Sequence, residues 1–312
     1  MRSTLLAFVL LVIVAACSPA ANTPQDANSN NRINVVATTG MIADVVQNVG
    51  GERVNVTQLM GPGVDPHLYS ATESDVTTLT DAQMIFYNGL NLEARLTEIF
   101  EQIGQNKPVI AVGAALPADR VVNEVGRDIT DPHVWMDVEL WSLVAQEIAD
   151  ELAAFDAANA SLYQANATAY REQLAELDQY AQDQINRVPT EQRVLVTAHD
   201  AFHYFSRAYG IEVFAPQGIT TAAEAGVEDI RRIIEIVVQR KIPAIFVETS
   251  VPPDVIEAII AGAEAQGQTV SVGGSLFSDA MGEAGTPEGS YIGMIRHNID
   301  TIVTALLGLP SE

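Results

Sequence analysis

Apolar and polar positions along this chain fall into two periods, and the order in which those periods follow one another predicts an α/β architecture. Residues 33–38 form an apolar run of strand length. After Thr39-Gly40, Ile42, Val45, Val46 and Val49 recur at helical spacing until Gly50-Gly51 stops them. Residues 53–59 read as a second strand, leading into a loop at 61–67 that Gly61, Pro62, Gly63 and Pro66 stiffen and turn sharply. Thr72-Glu73-Ser74-Asp75 has capping-box character and opens a short helix. A strand at 84–87, a helix at 92–103 and a strand at 109–112 follow. Because strand and helix alternate, this lobe is expected to hold a mostly parallel four-stranded sheet flanked by helices.

Past Asp137 the period becomes helical throughout. Leu140, Val144, Ile148 and Leu152 recur at spacing four, and after a break at Asp156-Ala157-Ala158 a second run extends from 160 to 187, with Leu162, Ala165, Ala169, Tyr170, Leu174, Leu177, Ala181 and Ile185 as its stripe. A helix of that length is roughly 40 Å long, enough to cross a whole domain. Its Ala- and Tyr-rich stripe is too short to favour a coiled coil, and Pro189 ends it. Alternation then returns, with strands expected at 193–198, 211–214, 244–248 and 269–272 and helices at 201–209, 227–240, 254–266 and 291–307. The expected organisation is a first lobe at 33–158, a linking helix at 159–188 and a second lobe at 189–312. Each lobe would have a four-stranded sheet.

The first 32 residues belong to neither lobe. Residues 5–16 are an apolar run too short to span a bilayer as a mature helix, with the form of a secretory leader. Val14-Ala15-Ala16-Cys17 resembles a bacterial lipobox, which implies a signal peptide at 1–16 and a lipid on Cys17, the chain's single cysteine. Residues 17–32, with almost no apolar side chain, read as a flexible tether. Removal of the leader leaves 15 basic residues against 40 acidic, a net charge of −25. Such a surface repels nucleic acid and anionic lipid.

Chemistry enters with the histidines. The chain has five, and two of them, His67 and His133, stand in the same Asp-Pro-His setting. Imidazole is the commonest metal ligand, and proline fixes its own φ and biases its predecessor to an extended form, so each of these histidines sits on a stiff loop. His199 follows the apolar run at 193–198, at the carboxyl end of a strand, where open α/β sheets place ligands.

Four segments carry a family resemblance: Gly63-Val64-Asp65-Pro66-His67-Leu68-Tyr69, Asp131-Pro132-His133-Val134-Trp135-Met136-Asp137, Ala198-His199-Asp200-Ala201-Phe202-His203-Tyr204-Phe205 and Leu276-Phe277-Ser278-Asp279. In this order, and behind a lipobox, they resemble the motifs of the zinc and manganese substrate-binding lipoproteins of bacterial ABC transporters, over residues 33–307. The resemblance implies two α/β lobes joined by one long backbone helix, with one metal ion in the inter-lobe cleft held by His67, His133, His199 and Asp279. One packed helix resists bending, so capture of that ion should involve small movements, with the loop carrying Asp279 ordering last. It also implies a monomer anchored by lipid to the outer face of the cytoplasmic membrane, delivering its ion to an ABC permease and the associated ATPase. Three imidazoles and a carboxylate suit zinc, with manganese as the alternative. The region 116–130 lacks the histidine-rich loop of many zinc-specific members.

Other residues have plainer readings. His203, one helical turn after His199, resembles half of a zinc-protease helix, but Asp200 stands where the catalytic glutamate would be. His297 reads as a surface group and Trp135 as packing. Asp65 and Asp131 anchor their own loops. Glu248, at the end of an apolar strand, reads equally as a cap or as support for a ligand. Two rival functions are a zinc hydrolase, which would want an open water position and a general base that the sequence does not offer, and a surface adhesin, which needs no metal set.

Overall fold

In the computed structural model, which describes residues 32–123 and 129–310, strand β1 (Ile33–Ala37) lies inside the first sheet with only Asn34 exposed. Helix α1 (Gly40–Gly50) follows, and β2 (Val54–Gln58) pairs in parallel with β1. Helix α2 (Glu73–Asp81) opens on the expected capping box, in which Thr72 Oγ1 accepts from the Asp75 N–H at 3.3 Å and the Asp75 carboxylate accepts from the Thr72 N–H at 2.7 Å. Strand β3 (Met84–Tyr87), helix α3 (Thr97–Gly104) and β4 (Val109–Ala111) complete a four-stranded, all-parallel sheet of order β2-β1-β3-β4.

The helix expected from residue 92 starts late for a physical reason. Glu93 is buried, and its carboxylate accepts from the N–H groups of Asn88 and Gly89 and from Thr38 Oγ1. Closing on those donors bends the chain through left-handed Leu90 and Asn91, so a single 3-10 turn, Ala94–Leu96, precedes α3. The same turn holds the loop of His133, since Asn88 Nδ2 donates to Pro132 O at 3.0 Å.

Two helices follow, α4 (Val138–Phe155), capped by the Asp137 side chain on the Leu140 N–H, and α5 (Ala160–Ile185). The buried face of α5 is Tyr163, Ala167, Tyr170, Leu174, Leu177, Ala181 and Ile185. Its first turns are therefore rotated from the expected stripe: Leu162, Ala165 and Ala169 are exposed, because Tyr163 hydrogen-bonds Asp156 and Asn166 hydrogen-bonds Val49 O.

The second lobe comprises β5 (Val194–Val196), α6 (His203–Tyr209), β6 (Glu212–Phe214), α7 (Val227–Arg240), β7 (Ala244–Glu248), α8 (Asp254–Ala265), β8 (Ser271–Leu276) and α9 (Tyr291–Leu306). Its four strands make two parallel pairs, β5–β6 and β7–β8, rather than one continuous ladder. At the join, the N–H groups of Ala198 and His199, just past β5, are taken by the Glu248 side chain instead of by a strand carbonyl. Strand β8 also runs further than expected, through Gly273-Gly274. A Cβ at Gly273 would lie 2.7 Å from the Phe246 ring, and one at Gly274 would lie 2.4 Å from Thr301. Here glycine admits neighbours to the strand instead of ending it.

The first sheet is covered on both faces, by α1 and α4 on one side and by α2 and α3 on the other. A separate apolar cluster lies between the second lobe's strands and α7 and α8. The largest cluster runs unbroken from β1 and α1 through α4, α5 and α9 to Phe205, Phe246 and Leu276. The two lobes thus share one core along the helices and meet at the strands' carboxyl ends. Among the described residues no helix is long and apolar enough to cross a membrane.

Candidate metal site

His67 sits in the loop after β2, His133 just before the 3-10 turn Val134–Met136 that leads into α4, His199 after β5, and Asp279 after β8. All four are buried, at 5% exposure or less. Their potential ligand atoms lie within 4.8 Å of one another. His67 Nε2 is 3.3 Å from His133 Nε2 and 3.6 Å from Asp279 Oδ2; Asp279 is also 3.3 Å from His133 Nε2 and 3.2 Å from His199 Nε2. Ligands placed about 2.0–2.1 Å from a tetrahedral ion stand roughly 3.3 Å from each other. The shorter separations match that value, and the whole set, within 4.8 Å, is compact enough to surround one small cation.

Their polar atoms point the same way. Both Asp279 oxygens and His199 Nε2 are buried without a hydrogen-bond partner among the described residues, although they lie in mutual contact. Buried polar atoms rarely stay unpaired, and an ion between them resolves all three at once.

A carboxylate backs the ring of two of the histidines and only the backbone of the third. Asp131 accepts the His133 backbone N–H at 2.9 Å and contacts its Nδ1 at 2.7 Å. Glu248 accepts the N–H groups of Ala198 and His199 and contacts His199 Nδ1 at 2.6 Å. These contacts hold the ring proton on Nδ1 and leave Nε2 facing the cluster. Asp65 accepts the His67 N–H at 2.8 Å, but its second oxygen accepts from Thr221 Oγ1 in the other lobe.

Charge divides the three imidazoles. Burial pushes His67 down to about 4, outweighing the pull of Asp279. At His133 burial acts in the same sense but is overcome by Asp131 and then Asp279, which raise it to about 9. Glu248 and Asp279 likewise raise His199 well above its usual range. Against the burial that would raise it, Asp279 is held well below the usual carboxylate range by His199 and His133. Rings in contact do not all carry a second proton, and burial favours the neutral form at His67.

The remaining sequence candidates lie outside the cluster. His203, half-exposed, lies between Asp131 Oδ2 at 3.2 Å and Asp200 Oδ2 at 3.1 Å; these carboxylates lift it to about 10. His297 is on α9 with its Nε2 against Ser275 O. Trp135 is fully buried, its ring edge on His133, and its Nε1 donates to Ser278 O at 2.8 Å, fixing the residue before Asp279. Glu248, read from sequence as a cap or as a support, contacts both the backbone and the ring of His199. Sequence reasoning did not single out Thr221, Gln217 or Ser278; they lie in loops without periodicity, and their partners are distant in the chain. Cys17, the leader at 1–16 and most of the tether lie outside the described residues.

Comparison with known proteins places this geometry in context. The family model described as zinc-uptake complex component A, periplasmic, matches residues 35–305. The chain is 46% identical over 282 residues to the zinc-binding protein TroA of Treponema pallidum, covering 90% of this chain and 91% of that protein. It is 40% identical over 306 residues to the manganese-binding lipoprotein MntA of Bacillus subtilis, covering 98% and 100%. The solved structure of the T. pallidum periplasmic zinc-binding protein TroA superposes with a TM-score of 0.86, covering 88% of this chain and 99% of that one.

Proposed function

The chain belongs to the zinc-uptake complex component A family, and from that premise we propose that it is an extracytoplasmic receptor that captures one divalent transition-metal ion and delivers it to an ABC permease for import. The observation that carries this reading is the buried set of His67, His133, His199 and Asp279, with their free polar atoms turned on one another. Four protein ligands leave a tetrahedral ion no open position for a reactive water, so the site suits holding an ion rather than using one as a catalyst.

Zinc is the proposed cargo. Three imidazole nitrogens and one carboxylate form a borderline set at tetrahedral spacing, whereas manganese favours more oxygen ligands. Manganese is the second reading, supported by the identity to the B. subtilis manganese-binding protein. The chain is proposed to act as a monomer on a lipid at Cys17, on the outer face of the cytoplasmic membrane, with the permease and its ATPase as partners. The lobes divide at 33–158 and 189–312, with 159–188 between them, and the core they share along α5 keeps closure small.

Release then requires the permease to draw the two ligand pairs apart. The test is metal analysis of protein purified without added metal, followed by zinc–manganese competition. One zinc per chain, not displaced by equimolar manganese, is the expected result; protein that binds neither ion would overturn the reading.

A further inference from the structure

The supports behind the three histidines are unequal. Asp131 and Glu248 each hold both the backbone and the ring of their histidine. Asp279 is held through its neighbour, since Trp135, two residues after His133, donates to Ser278 O. Tyr204 of α6 donates to Asp131 O at 2.9 Å, tying the His133 loop to the second lobe. His133, His199 and Asp279 are thus cross-linked to one another without an ion.

His67 is different. Asp65 holds only its backbone, and among the described residues no carboxylate backs its ring. The loop that carries it, residues 59–72, makes one hydrogen bond to the second lobe among the described residues: Thr221 Oγ1 donates to Asp65 Oδ2 at 2.5 Å. Thr221 is itself fixed, because Gln217 Nε2 donates to Thr221 O at 3.1 Å and to Ala223 O at 2.9 Å, while the Gln217 N–H donates to Ala198 O, beside His199. One chain of contacts therefore runs from the backbone at His199 through Gln217, Thr221 and Asp65 to the backbone at His67.

We propose that Thr221, acting through Asp65, is the closing latch of the site: it positions His67 as the ligand that completes a preassembled trio of His133, His199 and Asp279, and so governs how fast a bound ion escapes. This rests on the receptor reading and deepens it. It also differs from the order expected from sequence, in which the Asp279 loop settles last. A hydroxyl–carboxylate bond across the lobe boundary exists only when the lobes are together, so it weights closure and leaves the trio's own geometry alone.

The test is zinc dissociation from the purified protein, followed by stopped flow into excess chromophoric chelator. Thr221→Val keeps the shape and removes the donor; it should release zinc about tenfold faster while still binding one ion. Thr221→Ser restores the hydroxyl and should restore the native rate, which a packing role would not predict. In a His67→Ala background, Thr221→Val should change the rate no further. A native rate in Thr221→Val, or the same acceleration with and without His67, would overturn the latch while leaving the receptor reading intact. Failure of the native protein to bind zinc or manganese would overturn both. If Thr221→Val does not fold, the smaller Thr221→Ala takes its place under the same criteria.

Discussion

Glu248→Gln exchanges one oxygen for an amide nitrogen at constant side-chain volume, and the hydrogen bonds around it make the consequence calculable. One carboxylate oxygen accepts from the N–H groups of Ala198 and His199 at 2.8 and 2.9 Å, and the other lies 2.6 Å from His199 Nδ1. A glutamine has one acceptor oxygen, which the two buried backbone donors claim, so its amide NH2 must face the ring. Nδ1 can then only accept, and the ring proton moves to Nε2, the atom that stands 3.2 Å from Asp279. In the native protein the ion displaces the proton on Nε2 while Nδ1–H stays on Glu248; in the variant, clearing Nε2 leaves the proton on Nδ1 facing an amide NH2 that cannot accept it. Losing the outer partner of a metal-binding histidine weakens binding by roughly 10- to 100-fold, so zinc affinity should fall about 30-fold, equivalent to about 2 kcal/mol. Chelator competition near neutral pH measures it, and a thermal melt of the ion-free protein checks that the fold survives. Affinity within about twofold of native would refute the tautomer argument. Glu248→Ala is the contrasting case: it strands two buried N–H groups and should lower ion-free stability by about 2–5 kcal/mol.

Further outcomes are expected. Single alanine replacements of His67, His133, His199 and Asp279 should each cut zinc affinity by about 100-fold or more, whereas His203→Ala and His297→Ala should leave it within a few-fold; an unaltered affinity in His133→Ala, read by calorimetry, would break the assignment. Acid should weaken binding. His133, raised to about 9, and His199, raised well above its usual range, each hold a second proton at neutral pH that the ion must expel, while His67, lowered to about 4, holds no second proton. Affinity should therefore rise with pH through the neutral range and fall about 100-fold from roughly pH 7.5 to roughly pH 5.5 for each proton displaced; a flat titration would contradict this. Zinc at about a thousandfold over its dissociation constant should stabilise the fold by about 4 kcal/mol with little change in the radius of gyration, and a large scattering change would argue against a core shared by the lobes. Cys17→Ala should move the protein from the membrane fraction to the soluble one, and continued sedimentation in high salt would place the anchor elsewhere.

The alternation of strand and helix, the capping box at Thr72 and the bounds of β3, α7 and β7 were legible in the sequence, because each depends on residues within a few positions of one another. Where expectations departed, side-chain bonding or packing that the apolar period does not record had intervened. Glu93 bends residues 88–93 around its own carboxylate, delaying α3. Tyr163 and Asn166 turn the start of α5 by bonding Asp156 and Val49. Gly273 and Gly274 extend β8 because Phe246 and Thr301 press against them.

The candidate site divides along the same line. His67 and His133 stood out because proline stiffens the backbone before each of them, and His199 stood out because it ends an apolar strand; these are properties of short stretches. Asp279 had only a family resemblance to recommend it. That its two oxygens meet three imidazoles, that Glu248 rather than a strand carbonyl holds the backbone at His199, and that Thr221 reaches Asp65 across 156 positions in the chain were decided by packing alone. The sequence by itself determined which side chains have the chemistry to bind an ion and which loops are stiff enough to present them. Only the tertiary structure decided which atoms face one another, because contacts between lobes depend on how two surfaces dock, and no local period records that.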